Sequence, residues 1–106
     1  MRNEFFSYDC RLGILLPVML KEWPMYSSEE QEVILLEWER VRGTIPDRIR
    51  EMDGDIERLQ EELAQEDDFE QSCRINNEIS ERASEINDLW LWYRTHPEKT
   101  KRGTMR

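Results

Sequence analysis

Carboxylates are the side chains this chain supplies most freely for chemistry: Asp and Glu number 24 in 106 residues, against 15 Lys and Arg and a single His. Asp53-Gly54-Asp55 with Glu57 offers the oxygen ligands a hard cation prefers, but neither the spacing nor the glycine position fits a calcium loop. Glu66-Asp67-Asp68 with Glu70 would attract a divalent ion only weakly, and a solvated turn followed by a helix cap accounts for them. His96, the only histidine, stands beside Pro97 and next to the expected disordered tail, so a Ser/His or Cys/His pair would have to be built at a mobile end of the chain. Cys10 and Cys73 lie in apolar surroundings, where inert buried thiols are expected. There is no glycine-rich phosphate loop and no Glu-x-x-His pair. The residues therefore predict no catalytic centre, no cofactor and no bound metal.

One short motif carries an enzymatic resemblance. Glu85-Ile86-Asn87-Asp88-Leu89-Trp90 resembles the Glu-x-x-Asp helix of the MazG-like family, all-α magnesium-dependent nucleotide pyrophosphohydrolases. The resemblance implies a carboxylate cage for magnesium, completed by a Glu-x-x-Glu on the preceding helix. Residues 46–65 contain no such pair; Glu29/Glu32 lie far upstream and Glu78/Glu81 share the helix of Glu85.

The elements that must position these residues are helical. Ile45, Ile49, Met52, Ile56, Leu59 and Leu63 recur at spacings of 4, 3, 4, 3 and 4, a heptad seam on one helix face. Thr44 with Asp47 resembles an N-cap, and Pro46 suits a first turn. The seam stops at Glu66-Asp67-Asp68; Asp68 with Gln71 can cap a second helix running to about Arg94. Its expected stripe is Phe69, Cys73, Ile75, Ile79, Ala83, Ile86, Leu89, Trp90 and Tyr93. Two amphipathic helices joined this closely are antiparallel neighbours. Asn76, Asn77 and Arg82 lie beside or within that stripe, and Arg82 either keeps its head in water or pairs with an acid on a neighbouring helix.

A further helix is expected over about 28–42, with a capping box at Ser27/Glu30 or Ser28/Gln31 and Gly43 as its C-terminal cap. Residues 1–24 are too apolar for solvent, and one helix, or two short ones divided near Gly13 to Pro17, is expected to close the core. The fold class predicted is all-α: a coiled-coil-like antiparallel helical hairpin with one or two N-terminal helices packed on it, a small helical bundle. One domain, residues 1–97, is expected, with 98–106 as a basic, disordered tail.

Leu89-Trp90-Leu91-Trp92-Tyr93 puts five large residues in succession, more than one helix face can bury. Trp90 and Tyr93 are expected to turn inward. Leu91 and Trp92 are the better candidates for contact with another molecule, and Tyr93, Trp90 and Trp23 join them as possible interface residues. The net charge of −9 opposes nucleic acid as a partner and favours a basic protein. No stretch is long and apolar enough for a membrane span, and Glu4, Asp9 and Pro17 interrupt any secretory signal; isolated thiols then suggest a cytoplasmic protein. The function expected is non-catalytic: a regulatory or adaptor protein acting through protein–protein contact, as a homodimer. An acidic mimic of nucleic acid that blocks a basic groove is the alternative, beside the MazG-like reading.

Overall fold

Side-chain caps set the starts of two of the three α-helices among the described residues. In the computed structural model, which describes residues 4–99, helix α1 spans Ser28–Arg42, α2 spans Ile45–Gln65 and α3 spans Phe69–Tyr93. Ser27 caps α1 through a reciprocal box, its Oγ accepting from the Glu30 amide at 3.1 Å while the Glu30 carboxylate accepts from the Ser27 amide at 2.9 Å. Asp68 accepts from the Gln71 amide at 3.0 Å and starts α3.

The junction of α1 and α2 departs from expectation. Thr44 makes no side-chain cap, and Gly43 sits at φ −65°, in the right-handed helical region. The Thr44 hydroxyl instead donates back to the Val41 carbonyl at 2.7 Å, and the Arg48 amide reaches the Thr44 carbonyl at 3.1 Å. Backbone bonding thus carries across residues 43–44, and α1 and α2 together form one long bent helix. Pro46 has no N–H to give the Arg42 carbonyl, which places the bend here.

The N-terminal segment is the main correction: it is a β-hairpin, not helix. Strands β1 (Phe6–Asp9) and β2 (Ile14–Pro17) pair antiparallel, with Phe6 opposite Pro17 and Asp9 opposite Ile14. Local turn chemistry overrides the apolar pattern. Asp9 Oδ1 accepts from the Leu12 amide at 2.9 Å, the Gly13 amide reaches the Asp9 carbonyl at 2.7 Å, and Gly13 lies at φ +76°, where a side chain is strained. The chain is therefore mostly helical with two short strands, rather than all-α.

Phe6, Leu12, Ile14 and Met19 from this segment join Tyr26, Ile34, Trp38, Val41, Ile45, Ile49, Met52 and Leu89 in one core. Beyond Met52, α2 and α3 have only each other. Ile75 is buried there, while Ile56, Leu59, Leu63 and Ile79 are half-buried. The result is a globular end carrying a two-helix arm, 59 Å long by 22 Å by 21 Å. Its radius of gyration is 17.5 Å, against roughly 13 Å for a compact chain of 100 residues. Several residues of the expected α3 stripe face out instead: Phe69 is 79% exposed, and Cys73 and Ala83 are exposed, as is Cys10 in the hairpin turn. The seam position is filled by Arg82, which spans to Asp55 of α2 at 3.7 Å and to Glu85 at 3.5 Å.

Pro97–Lys99 forms a short 3-10 turn. The rest of the expected basic tail, 100–106, lies outside the described residues, as do 1–3. No helix among the described residues is long and apolar enough to cross a membrane.

Candidate interaction cleft

Where the β-hairpin meets the C-terminal third of α3, a cleft of about 370 Å³ opens. Its apolar walls are Leu12 and Leu16 from the hairpin and Leu91 and Trp92 from α3; Asp9, Arg11, Asp88 and Thr95 form the polar rim. The volume lies at the lower end of the range for small-molecule pockets and is ample for a single inserted side chain.

Two arginines fix the hairpin at this place. Arg48 of α2 donates from Nε to the Leu12 carbonyl at 2.8 Å and from Nη1 to Glu51 at 2.9 Å. Its guanidinium fills the space beside Gly13, where an added Cβ would meet Nε at 2.7 Å. Arg11 reaches the other way, donating to Asp88 Oδ2 at 2.8 Å and to Ser84 Oγ at 3.1 Å. Leu12, between these two clamps, is 2% exposed and belongs to the core.

The opposite wall is equally fixed. Trp92 packs edge-on against buried Trp38 at 6.0 Å, and the Trp38 indole N–H donates to the Thr95 carbonyl at 3.0 Å. The Thr95 hydroxyl donates to the Leu91 carbonyl at 2.8 Å. Helix end, tryptophan pair and cleft rim thus form one bonded unit. Electrostatically the rim is slightly acidic, with Asp9 and Asp88 against one arginine already committed to Asp88.

Of the interface residues expected from sequence, Leu91 and Trp92 share the cleft. Trp92 is nonetheless half-buried against the core, whereas Trp90, expected inside, is 40% exposed. Trp90 lies on the far flank of α3, edge-on to Tyr93 at 5.6 Å. The Tyr93 ring is covered by the Arg42 guanidinium at 4.8 Å. A side-chain hydrogen bond to Glu39 raises the Arg42 pKa further above its ordinary value. Trp23 is elsewhere, half-buried beside Tyr26 at 6.2 Å, its carbonyl accepting from Gln31.

The MazG-like carboxylates do not converge. Glu85 is 8% exposed and faces Arg82, while Asp88 binds Arg11. Among the described residues no three His, Cys, Asp or Glu side chains are placed to hold a metal ion. Sequence reasoning missed Asp9, Arg11, Leu12 and Leu16 as cleft residues because it read their segment as helix. The available signal was Asp9 three residues before Leu12-Gly13, an Asx turn closing on a left-handed glycine. Comparisons with protein-family models, curated proteins and solved structures give no match.

Proposed function

We propose that the protein is a non-catalytic adaptor or regulator that receives part of a partner protein in this cleft. The observation carrying the reading is an open, apolar-walled cleft whose walls are already held in place by Arg11, Arg48 and Trp38. A preformed site loses little entropy when a partner's side chain enters. Leu16, Leu91 and Trp92 suit an aliphatic or aromatic anchor, and the free edges of Asp9 and Asp88 suit a neighbouring Lys or Arg. The test is affinity capture from the cells that make the protein, comparing the unmodified chain with Leu16→Arg, which fills the cleft and repels a basic partner. Loss of a bound protein, with the circular dichroism spectrum retained, is expected. Retention of the same proteins by Leu16→Arg would remove the cleft as the docking site.

A second reading has one observation in its favour. Residues 53–82, which form the arm, hold eleven acids against three arginines, so −8 of the total −9 falls there. Such segregation suits an acidic mimic that occupies a basic groove. Capture that survives Leu16→Arg but is lost on reversing Glu61 and Glu62 to Lys would select it.

A further inference from the structure

In a chain with 37% charged residues, one long helix face has none. The charged residues of α3 are Glu70, Arg74, Glu78, Glu81, Arg82, Glu85 and Asp88. Projected at 3.6 residues per turn they all fall within about 120° of the helix, and an arc of about 240° is free of charge, part of it turned to α2 through Ile75, Ile79 and Ile86. Along the middle of that arc run Phe69, Cys73, Asn76, Ser80, Ala83, Asn87 and Trp90, spaced 4, 3, 4, 3, 4 and 3, and every one is exposed. This is a second heptad seam, on the solvent side of the helix that already uses its first one against α2. The solvent face of α2 has nothing similar, its Asp, Glu and Arg being interrupted only by Gly54, Gln60, Ala64 and Gln65.

We propose that this face pairs with the same face of a second copy of the chain, the two α3 helices running antiparallel. Three features favour a second copy. The stripe is self-complementary: a two-fold axis between Ser80 and Ala83 places Asn76 against Asn87 of the second copy and Cys73 against Trp90. Asparagine amides donate and accept at once, so the Asn76–Asn87 pairs satisfy one another and fix the register. Second, the charges agree at the ends. Arg94 continues the uncharged arc and makes no ion pair or side-chain hydrogen bond among the described residues. The same axis sets it over Phe69 and beside Asp68 and Glu70 of the second copy, an aromatic face and two anions for a free cation. Third, two chains of net charge −9 repel, and the face without charge is where approach costs least. The parallel alternative would set tip acids against tip acids.

The inference concerns a different surface from the cleft and stands or falls separately. Its test needs only the purified full-length protein. Sedimentation equilibrium at tens of micromolar is expected to give twice the chain mass of 12.9 kDa. Ala83→Glu, at an exposed helical site where Glu is well tolerated, is expected to raise the dissociation constant at least tenfold with an unchanged circular dichroism spectrum. In a Cys10→Ser variant, a spin label on the native Cys73 reports the orientation. Antiparallel pairing about the stated axis separates the two Cys73 positions by 17 residues along the helix, about 26 Å at 1.5 Å per residue. A monomer, a dimer indifferent to Ala83→Glu, or labels within about 15 Å of each other would each overturn the proposal. Retention of the captured proteins by Leu16→Arg, with the dimer intact, would refute the cleft alone.

Discussion

Leu12→Ala gives the sharpest test of how the N-terminal segment is built. In a helix, Tyr8, Leu12, Leu16 and Leu20 would share one face at intervals of four and would be buried or exposed together. In the hairpin they separate: Leu12 is 2% exposed, whereas Tyr8 is 61% and Leu20 70% exposed. Truncating a fully buried leucine costs about 3 kcal/mol, within the 2–5 kcal/mol range set by how far the cavity collapses. Collapse is restricted here, because the Leu12 carbonyl is held by Arg48 and the next residue back, Arg11, is held by Asp88. With a urea m-value of about 1.5 kcal/mol/M for a chain of this size, the unfolding midpoint should fall by about 2 M. Against a total stability of about 5–15 kcal/mol that is a large fraction. Tyr8→Ala and Leu20→Ala should each stay within about 0.5 kcal/mol of the parent. Urea titration followed by circular dichroism at 222 nm measures all three. Equal losses at positions 8, 12 and 20 would refute the hairpin and restore the helical reading.

Gly54 lies inside α2 with nothing within 4 Å of an added Cβ, so Gly54→Ala should stabilise by about 0.5–1 kcal/mol in the same titration. Gly13→Ala should cost about 1–2 kcal/mol, because φ +76° strains a side chain and its Cβ would displace the Arg48 guanidinium. Trp92→Ala should destabilise by more than Trp90→Ala, since Trp92 packs on Trp38 while Trp90 is 40% exposed; equal midpoints would contradict that placement. Tyr26→Phe should cost about 1 kcal/mol, because the buried hydroxyl accepts from the Leu20 amide at 3.1 Å and the Lys21 amide at 3.4 Å.

The helical part of the fold was legible wherever periodicity and capping agreed. Ser27 with Glu30 and Asp68 with Gln71 mark their helix starts, and the seam from Ile45 to Leu63 faces α3 as its spacing requires. What failed was local. Thr44 looked like a cap because its residue type is right, but backbone bonding carries across the junction and its hydroxyl turns back to Val41. Residues 5–16 contain enough leucine and aromatic side chains to mimic a helix face, and only Asp9 and Gly13 betray the turn. Short apolar runs do not distinguish strand from helix by period; turn chemistry does.

The aromatic cluster shows why the cleft was only half legible. Five large residues in a row announced that some side chain would remain outside, but which one depends on where α1 and the hairpin meet α3. Buried Trp38 draws Trp92 inward, since its indole N–H takes the Thr95 carbonyl one turn beyond. Trp90, two residues earlier, is thereby turned to the opposite flank, outside the cleft. That rotation aligns Trp90 with Ala83, Asn76 and Phe69. A stripe predicted from the hydrophobic core alone counted Phe69, Cys73, Ala83 and Trp90 as interior, and the structure puts all four on the surface. The packed face of α3 carries Ile75, Ile79, Ile86 and Leu89 instead, and periodicity along one helix does not by itself say which of two faces is turned inward.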